Sequence, residues 1–326
     1  MKRIWSFVLC ILLFVVLATI GIADSQAEVA PVFCKELDGV CFHNQILVSY
    51  PSDEADTAYC IPEGTVGVAA DAFICAKQLE YLYIPGSCQY IGLETDFLDG
   101  ETTSMALTGI ENLKAFFVAE ENLYFTSSDG VLFSKDMTIL YQFPANKSVT
   151  NYVIPEGVTT VGAYAFAYTN VQNVTFPESL VEISPFAFYC SSITEVTFPE
   201  NLQRLSQSSF EASLLEDVCF SEGLKTIEAS AFQACGLTEV QLPSILEFID
   251  SYAFFGNPIS EDTIIVLPEG LEYIGDDIFQ TGESSWETWT PTYAVYPNSE
   301  GYRWVQRNHY PFVVCNVSHQ YENKED

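Results

Sequence analysis

Four polar residues of this sequence recur at a constant spacing, and a fifth stands beside them. Asn173, Glu195, Asp217 and Glu239 are separated by 22 residues each, and Glu216 directly precedes Asp217. Carboxylates brought into line could bind Ca²⁺, which prefers clustered carboxylate oxygens, or a basic patch on another protein. We therefore predict a binding site made of these five residues. The alternative is one more solvated face of a very acidic chain.

The remaining residues give little support to a catalytic site. A glycoside hydrolase needs two carboxylates at a defined separation, but among 44 Asp and Glu residues some pair will meet that condition by accident. A polysaccharide lyase usually needs basic residues, and the central repeats contain only Arg204 and Lys225. The motifs G-x-S-x-G and H-E-x-x-H do not occur. We predict no catalytic residue.

Composition excludes two further classes of protein. The chain has 326 residues, with 12 Lys and Arg against 44 Asp and Glu, a formal charge of −32. Such a chain repels phosphate backbones, which excludes a nucleic-acid partner. The hydrophobic fraction of 48% is large enough for a core and excludes a disordered chain. With three histidines and no C-x-x-C pair, no zinc site or other cofactor is predicted beyond the Ca²⁺ considered above.

An internal repeat must position the polar residues. Apolar blocks that end in Pro, or once in Ser, recur every 22 residues at 174–177, 196–199, 218–221 and 240–243. Apolar and polar residues alternate before each such anchor, which predicts a strand with one buried face. Because a single unit leaves its apolar face uncovered, the units must stack into a solenoid. A phenylalanine lies eleven residues after seven anchors: Phe73, Phe166, Phe188, Phe210, Phe232, Phe254 and Phe279.

The pattern L-x-x-V-x-F-P-E-x-L-x-x-I-x-x-x-A-F-x-x-C resembles the bacterial BspA-type leucine-rich repeat over residues 59–314. Segments 116–120 and 128–136 are similar to a hairpin variant that this family often inserts, and Asp129-Gly130 is typical of a hairpin turn. The resemblance implies a β-rich solenoid of about 22 residues per turn, with an inserted hairpin. Members are typically extracytoplasmic and linked to adhesion or host contact, which implies a binding surface.

The predicted organisation has six segments. Residues 1–27 are predicted to be a signal peptide, because Lys2 and Arg3 precede an apolar run and Ala27 is placed for cleavage, with Ala23 as second choice. An uncleaved membrane anchor is the alternative. The other segments are an N-terminal cap at 28–58, first repeats at 59–92, an irregular insertion and hairpin at 93–150, regular leucine-rich repeats at 151–290, and a C-terminal helical cap with a polar tail at 291–326.

The cysteine count leaves one thiol over. Loss of Cys10 with the signal peptide would leave nine cysteines, so at least one thiol stays free or pairs between chains. Cys34 and Cys41 are candidates for a disulfide in the N-terminal cap. Cys219 takes an outward strand position, where we expect an exposed free thiol.

The repeat also predicts which charges meet on neighbouring turns. Residues one repeat apart lie about 4.8 Å apart in a stacked solenoid. We therefore expect Glu182 to contact Arg204, and Lys225 to contact Glu247.

Taken together, the sequence predicts a secreted or cell-surface binding protein with no membrane span in its mature chain and no catalytic activity. Its expected partner is an extracellular protein or glycan. Trp286 and Trp289, in a stretch where the repeat dissolves, either contact a carbohydrate or cover the open end of the solenoid. The alternative functions are a carbohydrate-active enzyme on a solenoid scaffold and a purely structural surface protein.

Overall fold

The chain winds into a β-solenoid of about 11 turns with roughly 22 residues per turn. A computed structural model describes residues 39–51, 55–70, 72–93, 107, 109–280 and 289–315. The predicted β-rich solenoid, with its hairpin and C-terminal helix, is confirmed. The predicted signal peptide at 1–27, Cys34, Trp286 and the polar tail after 315 lie outside the described residues. In the described part of the chain, no helix is long and apolar enough to cross a bilayer.

The predicted disulfide between Cys34 and Cys41 is wrong. Cys41 is free and exposed. Cys60 is disulfide-bonded instead.

The first turns form two small sheets. One sheet contains β1 (Cys41–His43), β2 (Ile46–Ser49), β4 (Gly67–Ala69) and β6 (Tyr90–Leu93), and the other contains β3 (Ala58–Cys60), β5 (Tyr81–Ile84) and β7 (Ala115–Val118).

The predicted hairpin is present. β8 (Phe125–Ser128) and β9 (Val131–Ser134) pair antiparallel. Asp129 and Gly130 connect them with φ angles of 49° and 72°, as a tight turn with two left-handed residues requires.

A buried asparagine fastens this hairpin to the first turns. The Asn122 amide donates to the carbonyl oxygens of Pro85 at 2.7 Å and Cys88 at 2.9 Å. Its Oδ1 accepts from the backbone N–H groups of Tyr124 and Phe125, both at 2.8 Å. Asn122 is fully buried. Because water cannot reach these backbone groups, the Asn122 side chain is their hydrogen-bond partner.

Two sheets run along the regular repeats. The front sheet is built from the strands that precede the anchors: β11 (Asn151–Val153), β13 (Asn173–Thr175), β15 (Glu195–Thr197) and β17 (Asp217–Cys219). The long sheet is built from β8, β9 and the strands that follow the anchors: β10 (Ile139–Gln142), β12 (Thr160–Val161), β14 (Glu182–Ile183), β16 (Arg204–Leu205), β18 (Thr226–Ile227), β19 (Phe248–Ile249) and β21 (Tyr273–Ile274). The repeat strands pair in parallel, so equivalent residues of successive turns are neighbours.

The core contains a ladder of stacked phenylalanine rings. Neighbouring rings have centroids 4.8–5.3 Å apart, and all seven rings are fully or almost fully buried. Because each ring contacts the turn before and the turn after, the ladder couples the stability of neighbouring turns. The rings belong to Phe143, Phe166, Phe188, Phe210, Phe232, Phe254 and Phe279.

Two positions in each regular turn have left-handed backbone, although most are not glycine. The backbone N–H of the second position donates to a backbone carbonyl oxygen of the next turn. The Tyr168 N–H donates to the carbonyl oxygen of Tyr189 and the Cys190 N–H to that of Glu211, both at 3.0 Å. These hydrogen bonds stabilise a conformation that is otherwise unfavourable for residues with a Cβ. The first position is Tyr164, Phe186, Ser208, Ser230, Tyr252 and Asp277, and the second is Tyr168, Cys190, Ala212, Ala234 and Gly256.

A helix closes the C-terminal end. The remaining elements are β20 (Ile264–Val266), β22 (Thr292–Val295), α1 (Glu300–Asn308) and β23 (Phe312–Val314). Ser299 caps α1, and its Oγ accepts from the Tyr302 N–H at 3.1 Å. Trp304 is fully buried, and its indole N–H donates to the Gly275 oxygen at 2.9 Å. Trp304 therefore covers the last turns of the solenoid.

Candidate functional site

The structure places two carboxylates of the predicted site in direct register. Glu195 in β15 faces Asp217 in β17, and Asn173 in β13 faces Glu195. The flanking residues Val196 and Val218 point into the core, so the three polar side chains point outward. Glu195 and Asp217 are exposed.

An amide column leads into this pair. The Asn173 amide lies between Asn151 in β11 and Glu195. Its nitrogen donates to Oδ1 of Asn151 at 2.7 Å or, with the amide turned over, to Oε1 of Glu195 at 3.2 Å. The front sheet therefore carries one continuous polar column, with amides at one end and carboxylates at the other.

The predicted site is less regular at Glu239 and Glu216. β17 is the last strand of the front sheet, and Glu239 is exposed but lies in no strand. Glu216 is exposed just before β17, and its side chain lies beside Gly236 of the next turn. Glu195 and Asp217 thus lie on paired strands, whereas Glu216 directly precedes β17 and Glu239 lies on the turn after the last strand of the sheet.

The geometry does not resemble a metal centre. Among the described residues, no three His, Cys, Asp or Glu side chains converge on a point where a metal ion could bind. Carboxylates on a flat parallel sheet point in the same direction, whereas Ca²⁺ needs six to eight oxygens around one centre. The arrangement is better suited to contact with an extended surface.

The long sheet shows how charges are compensated elsewhere. Lys225 Nζ lies 3.1 Å from Oε1 of Glu247, which confirms that predicted pair. Glu182 and Arg204 are in register as predicted, but the expected contact is wrong, because Arg204 forms its ion pair with Glu228. The long side chain of Arg204 thus pairs with Glu228 rather than with Glu182, the acidic residue directly in register with it.

Two other expectations concern single side chains. Cys219 is free and exposed at the edge of the front sheet, as predicted. Trp289 is 42% exposed, and its indole N–H donates to the Ile259 oxygen at 3.3 Å. Trp304 and its neighbour Tyr293, with ring centroids 5.2 Å apart, are the buried aromatic residues at the C-terminal end. The end of the solenoid is therefore closed by residues other than Trp289.

Sequence reasoning missed a cluster of aromatic rings on the turns. Tyr168 and Tyr189 have ring centroids 5.7 Å apart at an interplanar angle of 84°, and Phe186 and Tyr189 lie 5.9 Å apart at 77°. Tyr168 is 49% exposed, and the other two rings are half-buried. These residues lie at three different offsets in the repeat, so no periodic signal connects them.

The stacked turns, the paired strands and the phenylalanine ladder define a leucine-rich-repeat solenoid. Residues 139–260 match the family model described as a BspA type leucine rich repeat region, in six copies. The chain therefore contains a BspA-type leucine-rich repeat region, which confirms the resemblance seen in the sequence.

Three solved bacterial structures are similar to this chain. The pneumococcal vaccine antigen PcpA is 19% identical with a TM-score of 0.50, and the match covers 80% of this chain and 68% of that one. A leucine-rich repeat protein from Eubacterium ventriosum is 21% identical (TM-score 0.44; 63% and 66% covered). A leucine rich cell surface protein from Faecalibacterium prausnitzii is 19% identical (TM-score 0.46; 78% and 62% covered). The chain thus spans just under two thirds of each of the last two proteins.

These likenesses concern the fold alone. No curated protein sequence matches the chain.

Proposed function

We propose that this chain is an exported, non-catalytic recognition protein, secreted or held at the cell surface. It binds an extracellular protein through the front sheet, with Asn173, Glu195, Glu216, Asp217 and Glu239 as the contact residues. The observation that carries the proposal is the uncompensated pair of carboxylates on adjacent strands. Like charges directly opposite each other destabilise a sheet, so a partner that neutralises them gains the repulsion energy on binding.

The rest of the protein shows that compensation was available. Among the described residues, neither Glu195 nor Asp217 forms an ion pair, while five other acidic residues do so with Lys or Arg. The proposed partner is therefore a protein surface that brings its own positive charges. A glycan is the second candidate partner, and the partly exposed ring of Trp289 is the feature that favours it.

Two features support export. Lys2 and Arg3 precede a long apolar run that ends before the small residues around Ala27, the pattern of a signal peptide. Cys60 is disulfide-bonded, and disulfides persist mainly in exported proteins. N-terminal sequencing of the protein recovered outside the producing cell is expected to begin at Glu28.

The binding test uses a triple variant and a matched control. Glu195→Gln, Asp217→Asn, Glu239→Gln removes three charges from the proposed site. Glu156→Gln, Glu178→Gln, Glu200→Gln removes three charges from exposed turn residues that follow the anchors, outside the front-sheet strands. Both variants and the parent are applied to an array of extracellular proteins and glycans.

The proposal expects the first variant to lose a binding partner that the control variant retains. Equal binding of the parent and the first variant to every partner would show that the front-sheet carboxylates are only a solvated acidic face. Equal losses in both variants would show that net charge, and not this site, determines binding.

A further inference from the structure

The aromatic cluster on the turns lies outside the front sheet and is not explained by the fold. Phe186 occupies the same left-handed turn position as Ser208 and Ser230, with φ of 59° against 54° and 58°. Serine therefore satisfies that backbone position as well as phenylalanine does. Tyr189 is likewise replaced by Glu211 one repeat later. The rings are not needed to form the turns.

The three rings form a corner by packing edge to face. Tyr168 and Phe186 each stand nearly perpendicular to Tyr189, at 84° and 77°. Tyr164 stacks behind Phe186 at 5.0 Å with an interplanar angle of 4° and holds that ring in place. The Tyr168 N–H donates to the Tyr189 oxygen at 3.0 Å, which ties the two turns together. Perpendicular rings pack edge to face, unlike the stacked rings of the core ladder. Tyr168 is 49% exposed, so part of its ring remains accessible to a ligand.

A carboxylate stands beside this corner. Glu211 follows Tyr189 by one repeat, and its backbone oxygen accepts from the Cys190 N–H at 3.0 Å. The neighbouring Cys190 thiol raises the pKa of Tyr189 to about 12, with smaller contributions from burial, Tyr168 and Glu211. Glu211 forms no ion pair with any Lys or Arg of the described residues.

We propose that Tyr168, Phe186, Tyr189 and Glu211 form a binding site for an arginine side chain of a partner protein. Ring faces carry negative charge and attract cations within about 6 Å of the centroid. A planar guanidinium can stack on a ring while it donates two hydrogen bonds to a carboxylate, which an ammonium cannot do in the same geometry. The formal charge of −32 adds a long-range attraction for basic partners. This site does not depend on the front-sheet proposal.

The probe is Nα-acetyl-arginine amide, titrated into the protein while the ring resonances of the tyrosines are followed by NMR. The isosteric neutral compound Nα-acetyl-citrulline amide is the ligand control. We expect saturable shifts at Tyr168 and Tyr189 with the arginine probe and none with citrulline. Tyr168→Leu and Glu211→Gln should each weaken binding about fivefold, equivalent to about 1 kcal/mol. Tyr189→Phe retains the ring and should bind within about twofold of the parent.

Matched variants separate this site from the others. Tyr273→Leu removes a tyrosine of similar exposure, 44%, from the long sheet and should leave arginine binding unchanged. The Glu195→Gln, Asp217→Asn, Glu239→Gln variant should also bind the arginine probe like the parent. The proposal is wrong if citrulline binds as tightly as arginine, or if Tyr168→Leu combined with Glu211→Gln binds like the parent. It is also wrong if Nα-acetyl-lysine amide or methyl glucoside binds these rings more tightly than arginine.

Discussion

Glu195 and Asp217 face each other on adjacent parallel strands with their Cα atoms in register. Neither forms an ion pair with a Lys or Arg in the part of the chain that the structure describes. On the long sheet, by contrast, Lys225 and Glu247 of neighbouring turns lie 3.1 Å apart. Glu247 on the long sheet is thus neutralised by a Lys of the neighbouring turn, whereas Glu195 and Asp217 face each other as like charges.

Relief of this repulsion is expected to stabilise the protein. The double variant Glu195→Gln, Asp217→Asn should raise the free energy of unfolding by up to about 1 kcal/mol in low salt. Since salt screens exposed charges, the gain should shrink at 1 M NaCl. Chemical denaturation at both salt concentrations measures it, with Glu111→Gln, Glu261→Gln, two exposed residues that do not lie one repeat apart, as the control for net charge. A loss of stability in low salt would contradict the argument.

The phenylalanine ladder is expected to dominate stability. Phe188→Ala or Phe210→Ala should lower the free energy of unfolding by about 3–5 kcal/mol, because each leaves a cavity between two turns. Tyr273→Ala, at a ring that is stacked but 44% exposed, should cost much less. Urea denaturation measures both. A change below about 1 kcal/mol for Phe188→Ala would mean that neighbouring turns do not depend on the ladder.

Asn122 is expected to hold the hairpin to the first turns. Asn122→Ala would leave buried carbonyl and N–H groups without partners, and we expect a loss of about 2–3 kcal/mol. Hydrogen exchange at the Tyr124 and Phe125 amides should become faster. Asn201→Ala is the control, since the exposed Asn201 side chain donates to the backbone carbonyl oxygen of Glu178 at 2.7 Å. This variant should change the free energy of unfolding by less than about 1 kcal/mol. Similar losses in both variants would refute a special role for Asn122.

Burial should divide the cysteines by reactivity. It raises the pKa of Cys235 to about 11 and that of Cys88 to about 12, so both stay protonated at pH 8. Because the thiolate is the nucleophile, iodoacetamide at pH 8 should label exposed Cys219 in the native protein and label Cys88 and Cys235 only after unfolding. Peptide mass mapping locates the label. Cys41 and Cys75 are also free and exposed, so the Cys219→Ser variant should lose only the label at position 219. Rapid native labelling of Cys235 would contradict the observed burial.

The repeat period carried most of the fold prediction. A spacing of 22 residues is enough to stack Phe188 on Phe210 and to place Glu195 beside Asp217, since both depend only on which residues are equivalent. The partner of Arg204 was not predictable, because a long flexible side chain reaches several columns. Asn122 stands outside the period, and its role depends on contacts 34 and 37 residues away.

The aromatic corner was hidden for a different reason. Tyr168 meets Tyr189 across two neighbouring turns, Phe186 packs against Tyr189, and the backbone is left-handed at Tyr168 and Phe186. Periodicity identifies equivalent residues, but it does not give the backbone angles that decide where non-equivalent side chains point. The contacts between these rings are therefore evident only in the three-dimensional structure.

The left-handed turn positions separate what makes this protein stable from what it displays. Their conformation is held by hydrogen bonds between main-chain atoms of successive turns, so the side chain is free to vary. None of the eleven residues at these positions is branched at Cβ, the type of side chain that such a backbone disfavours most. A single substitution there can replace an aromatic ring with a hydroxyl or a carboxylate while the core stays unchanged. The solenoid can therefore acquire a new specificity one residue at a time, without first losing its fold.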